Sequence, residues 1–234
     1  MKNISTSAAV PLSSFMSIRR GLVVSCQVPD GTPIDTPEFL AAQAQTVVQA
    51  GAAGIRAQGI SNVTAVVKAV GVPVIGLVKH YSNDIRIHIT PSVEDVIQLA
   101  EAGASIVAID ATGRNRSEGL KLEKFISQVR AQTNVPLLAD VDTVEAGVIA
   151  ESLGCEAVAT TLSGYTEKPA PALPNLKLVA DLAGRVNIPV IAEGGFSTPK
   201  ELAQAFDAGA WSVCIGTAIT NPFLLTKKFT QVLS

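Results

Sequence analysis

The chain is 234 residues long and poor in the side chains that announce specialised chemistry. Aromatic residues make up 4% of it, with one Trp and two Tyr, and the net charge is −2. A basic, aromatic-laced surface for nucleic acid is therefore not expected, nor a basic patch for anionic lipid. The two histidines, His80 and His88, form no HxH or HExxH pattern, and Cys26, Cys155 and Cys214 form no CxxC pair. Neither set has ligand spacing, so no metal site is predicted. Three scattered cysteines read as small buried hydrophobes in a reducing compartment. No apolar run approaches the ~18 residues of a membrane helix. Pro11 and the surrounding serines interrupt any signal-like core, so residues 1–20 read as a lead-in and a cytoplasmic protein is expected. The first predicted strand ends SCQVPDG, which is not the GxGxxG dinucleotide fingerprint.

What is present is aliphatic. Hydrophobic residues are 47% of the chain, and they cluster in short runs such as LVVSC (22–26), VIGLV (74–78) and SIVAI (105–109). Runs of that kind suit parallel strands covered on both faces. They alternate with helical stretches opened by Thr36-Pro37, Thr90-Pro91-Ser92 and Ser197-Thr198-Pro199, hydroxyl caps beside a first-turn proline. Eight strand–helix units can be counted, and a rhythm supports the count. Even strands are entered through Gly51, Gly103, Gly154 and Gly209, spaced 52, 51 and 55 residues apart. The third, fifth and seventh are entered through Val72-Pro73, Val135-Pro136 and Ile188-Pro189. A quarter-barrel repeated four times predicts one (β/α)8 TIM barrel over residues 21–234, close to the ~250 residues such a barrel uses.

In that fold, the residues that end the strands meet at one mouth. They are Gln27, Arg56, Lys79, Asp110, Asp140, Thr161, Glu193 and Gly216. Each has a plain structural reading: Arg56 or Lys79 snorkelling from a strand end, Asp110 or Asp140 capping a loop or holding a cation. A polar residue on almost every strand is not required by a scaffold, and the set points to a site. Lys79 and Glu193 end the third and seventh strands, opposite in a ring of eight. They read as an acid–base pair, provided burial lowers the amine pKa, or as a plain salt bridge across the pore. Gly194 and Gly195 precede a helix start, and Gly216 and Thr217 follow the eighth strand. These are the loops that commonly hold phosphate in such barrels.

Several stretches resemble the N-acetylmannosamine-6-phosphate 2-epimerase family from Gly21 onward. They are GLVVSCQ (21–27), GIRAQG (54–59), PVIGLVK (73–79), ITP (89–91) and AIDAT (108–112). LADV (138–141), TTLSGYT (160–166), IAEG (191–194) and GTAIT (216–220) complete the match. The resemblance implies a cofactor-free epimerase of N-acetylmannosamine 6-phosphate and N-acetylglucosamine 6-phosphate in sialic acid and amino-sugar catabolism, working as a homodimer. It implies catalysis by Lys79 and Glu193 and sugar contacts from Gln27, Arg56 and Asp140, with Thr161 and Ser163 of TTLSGYT in the substrate site. The family usually has arginine at positions 195 and 221, where this chain has Gly195 and Asn221. Only a modest preference for the phosphorylated sugar is then expected, unless Arg114 or Arg116 compensates. The residues alone also fit a lysine Schiff-base aldolase or another sugar-phosphate isomerase, or a non-catalytic sugar-phosphate-binding regulator.

Overall fold

A computed structural model describes residues 11–81, 87–114, 116, 119–166 and 170–233. Eight parallel strands close a ring in the order β1 (Leu22–Cys26), β10 (Ser212–Ile215), β9 (Val190–Glu193), β8 (Ala157–Ala159), β7 (Leu137–Asp140), β6 (Ile106–Asp110), β3 (Val74–Leu77) and β2 (Gly54–Gln58). The barrel expected from the repeat is present. The physical basis of its rhythm is visible. Gly103 and Gly209 adopt φ of +90° and +96°, the left-handed turn that ends one helix and feeds the next strand. Pro73, Pro136 and Pro189 lack an N–H, but their carbonyls accept from Ile55, Val107 and Val158 of the neighbouring strands. Proline thus starts a strand without breaking the ladder.

The helix starts follow the caps read from the sequence. Thr36 accepts from the Phe39 N–H at the start of α2 (Pro37–Gln49). Ser92 with Asp95 forms a capping box on α4 (Val93–Glu101), and Thr198 with Glu201 forms another on α8 (Pro199–Asp207). Outward-facing strand residues such as Val24, Ile55, Val107, Leu137 and Val213 pack beneath the helices in one large cluster. Inward-facing Val23, Ile75, Leu77, Ile106, Ala108, Leu138 and Ile191 fill the barrel interior as a second.

Two elements depart from the sequence reading. Helix α1 (Pro11–Ser17) packs against the barrel, and fully buried Phe15 and Ile18 belong to the interior cluster. The Phe15 carbonyl accepts from Trp211 Nε1 at 2.7 Å. Residues 15–18, read as lead-in, therefore contribute to the core; residues 1–10 lie outside the described residues. In addition, β3 ends at Leu77, and Lys79 opens an antiparallel hairpin of β4 (Lys79–Tyr81) and β5 (Ile87–Ile89), with Lys79 opposite Ile89. A three-residue strand of mixed polarity gives no readable period, which is why the hairpin was not apparent.

Phe15→Ala is expected to cost about 3–5 kcal/mol in urea unfolding, the cost of truncating a packed aromatic. A change of a few tenths would mean that this helix does not seal the interior.

Candidate active site

Side chains alternate along each strand, so the inward parity of Val23, Ile75, Leu138, Ala159 and Ile191 extends to the residues that follow them. Arg56, Asp140 and Glu193 face the interior at the C-terminal ends of β2, β7 and β9. They meet. Arg56 Nη2 lies 2.6 Å from Asp140 Oδ2, and its Nη1 lies 3.1 Å from Asp140 Oδ1 and 2.9 Å from Glu193 Oε2. Arg56 is 1% exposed, Asp140 0% and the Glu193 side chain 14%. Burial works against the guanidinium charge, but Asp140 and Glu193 outweigh it and hold Arg56 protonated. For Glu193 burial dominates: it raises the carboxyl pKa above the usual range, against the pull of Arg56. The salt bridge envisaged between Lys79 and Glu193 is thus replaced by one from Arg56.

Above this floor lies a cavity of about 610 Å³, within the ~300–1,000 Å³ usual for small-molecule sites. Lys79, Glu193, Gln27, Arg56 and Thr161 all line it, as do Gly194, Gly195, Gly216 and Thr217. Lys79 has its pKa lowered, first by burial and then by the Arg56 charge, so the free amine is more accessible than in an ordinary lysine. The backbone beneath it is clamped: the Thr90 N–H donates to the Val78 carbonyl at 2.7 Å, and the Val78 N–H donates to Thr90 Oγ1 at 3.2 Å. Thr90 holds a φ of +47°, an outlier for a β-branched residue, and such strain persists where the surroundings enforce it.

The TTLSGYT stretch has a physical purpose. Thr160 Oγ1 donates to the Glu193 carbonyl at 2.7 Å and accepts from the Glu193 N–H at 3.0 Å. Thr161 Oγ1 donates to Asp140 Oδ1 at 2.6 Å. Adjacent hydroxyls thus fix the backbone of Glu193 and one carboxylate oxygen of Asp140. Two buried polar atoms of cavity residues, Gln27 Oε1 and Arg56 Nε, have no protein partner. An unpaired acceptor and an unpaired donor are costly beside an ionic cluster.

Several candidates sit elsewhere. Asp140 is behind Arg56 with both oxygens engaged, and does not line the cavity. Ser163 is buried off the cavity, where its Oγ accepts from Asn175 Nδ2 at 2.9 Å. Asp110 holds Thr112 and Arg114. Arg116 donates to the Asp110 carbonyl and stacks over Phe125. Neither arginine lines the cavity, so neither stands in for an arginine at 195 or 221; Asn115 lies outside the described residues. Position 195 also resists a side chain: Gly195 has φ +78°, and a Cβ there would lie 2.6 Å from Leu173 Cβ. Asn221 is the N-cap of α10 (Pro222–Thr230), accepting from the Leu224 N–H.

Sequence reasoning missed Ser25, Gln58 and Cys214, which line the cavity and share the inward parity of Gln27, Arg56 and Ile191. That parity was the available signal. It also missed Asp30, Tyr165 and Lys228, which line the cavity from loops and from α10, where no period marks them.

Residues 40–234 match a family described as "Putative N-acetylmannosamine-6-phosphate epimerase". Relatives named as 2-epimerases of the same kind occur in Caldanaerobacter subterraneus subsp. tengcongensis and Clostridium perfringens strain SM101. The first is 42% identical, covering 92% of each chain; the second is 38% identical, covering 92% of this chain and 98% of its own. A solved structure of the N-acetylmannosamine-6-phosphate 2-epimerase from Clostridium perfringens superposes with a TM-score of 0.86 at 33% identity, covering 99% of both chains.

Arg56→Met removes the cation shared by two interior carboxylates. Breaking a buried pair on one side costs about 3–5 kcal/mol, so urea unfolding of the variant should show a loss of that size. A loss below 1 kcal/mol would mean that Asp140 and Glu193 do not depend on Arg56.

Proposed function

The chain belongs to the N-acetylmannosamine-6-phosphate epimerase family, and on that premise we propose that it interconverts N-acetylmannosamine 6-phosphate and N-acetylglucosamine 6-phosphate. The observation that carries the reading is one cavity holding a lysine whose pKa is lowered and a carboxyl whose pKa is raised. Groups shifted toward neutrality from both sides suit proton transfer near pH 7.

In the open-chain sugar, the hydrogen on carbon 2 is acidic because it lies alpha to the aldehyde. Lys79, as the free amine, takes that proton and leaves an enolate. Return of a proton to the opposite face inverts the centre. Glu193 manages the second proton, at the ring oxygen, at carbon 1 or at the opposite face. Arg56 holds Glu193 in position, and Gln27 and Arg56 line the wall against which the sugar lies. The chemistry consumes no redox equivalent and needs no cofactor. The phosphate is assigned to the backbone around Gly194, Gly195, Gly216 and Thr217. Thr161 contributes at the substrate wall, whereas Asp140 and Ser163 act by holding its lining in place. A Schiff-base aldolase would also use Lys79, but nothing in the site favours it over proton transfer.

The setting follows the same reading. Among the described residues no helix is long and apolar enough to cross a membrane. We place the protein in the cytoplasm, in sialic acid and amino-sugar catabolism, consistent with three free buried cysteines. We also propose a homodimer. Phe229 is 74% exposed on α10, and Val232 and Leu233 beyond it are more exposed still, an apolar surface of the kind a second subunit covers.

In heavy water, proton NMR should show deuterium entering carbon 2 of both epimers. Lys79→Ala should lose ~10²–10⁴-fold in kcat and stay folded. Glu193→Gln should lose kcat while retaining substrate affinity. Because the Lys79 pKa is lowered, kcat/KM should rise with pH along a limb lying below the ordinary lysine range. Borohydride trapping of a sugar on Lys79 would replace the epimerase reading with the aldolase. Light scattering should give twice the chain mass, and Phe229→Asp should halve it.

A further inference from the structure

We propose that Lys228, on the C-terminal helix α10, is the cation that recognises the substrate's phosphate and sets the preference for phosphorylated over free sugar. The inference deepens the epimerase reading and rests on it for the identity of the substrate. Among the described residues, three cations line the cavity: Arg56, Lys79 and Lys228. The first is already matched by Asp140 and Glu193. The second must shed its proton to act as a base, so it cannot also neutralise a dianion. Arg114 and Arg116 are engaged outside the cavity. Lys228 is left.

Its position follows from helix geometry. Asn221, Leu224, Leu225 and Lys228 all line the cavity, at spacings of i, i+3, i+4 and i+7. That is one face of a helix, turned toward the mouth. The face is anchored where it begins: Asn221, almost fully buried, caps α10 and connects directly to Thr217–Thr220, the helix that follows β10. Gly216, Thr217 and Ala218 line the same end of the cavity. Backbone N–H groups can orient phosphate oxygens there, and an ammonium contributes the charge those groups lack. Lys227, one residue away, lies off that face and does not line the cavity.

The test uses the full-length protein with N-acetylmannosamine 6-phosphate, free N-acetylmannosamine and inorganic phosphate. Lys228→Ala should lower kcat/KM for the phosphorylated sugar relative to the free sugar by ~10–100-fold, the range for a lost bond to a charged group. Lys228→Arg should recover most of that loss. Lys227→Ala makes the same change in net charge and should leave the ratio within about twofold, because Lys227 does not line the cavity and a charge out of contact with the phosphate is screened over ~10 Å in 0.1 M salt. Inorganic phosphate should raise the Tm of the parent and of Lys227→Ala, and have little effect on Lys228→Ala. That readout needs no turnover, so it stands even if deuterium exchange refutes the epimerase. The proposal is overturned if Lys228→Ala keeps the parent's phosphate-induced Tm shift, or if Lys227→Ala loses as much discrimination.

Discussion

A guanidinium placed inside a barrel has to be neutralised where it stands. Arg56 is almost without exposure, and the interior cluster beneath the site is largely aliphatic. Its charge is tolerable only because Asp140 grips it with both oxygens and Glu193 closes on the same Nη1. The three residues come from β2, β7 and β9, so a single ionic cluster ties together distant parts of the ring. Buried pairs of this kind add little net stability, since desolvation offsets most of the attraction. The cluster makes sense as a device for holding Glu193, largely buried and reluctant to ionise, at the floor of the cavity.

The rest of the site is arranged to keep that floor rigid. Thr160 locks the Glu193 backbone, Thr161 occupies a lone pair of Asp140, and Thr90 locks the residue before Lys79. Each is a hydroxyl acting on a neighbouring strand or hairpin, where a side chain of the same shape without oxygen would leave a buried group unpaired. The segments after the strands then supply what the strands do not, the glycines that follow β9 and β10 and the wall made by α10.

Much of this was legible along the chain. The paired rhythms of glycine and proline reflect real hydrogen-bond roles, and capping residues mark where helices begin. Lys79, Glu193, Gln27 and Arg56 were recognisable because each is a polar residue directly after an apolar run. Asp140 carried the same local signal and yet sits off the cavity, as does Ser163, which only the TTLSGYT resemblance brought forward. Local pattern shows that a side chain points inward, but not whether another side chain stands in front of it.

Taken alone, the sequence determined the eight-unit barrel and the face on which the cavity lies, and it brought Lys79 and Glu193 forward as candidates at that cavity. These depend on periodicity and on interactions between near neighbours, which are written in order along the chain. Tertiary structure decided the pairing of Glu193 with Arg56 rather than Lys79, the turn of Lys79 into a hairpin, the insertion of Phe15 into the core and the approach of Lys228 to the mouth. Those outcomes join residues up to 196 positions apart, such as Trp211 and Phe15. They are set by which groups must be neutralised or buried together once the ring closes, a constraint that exists only in three dimensions.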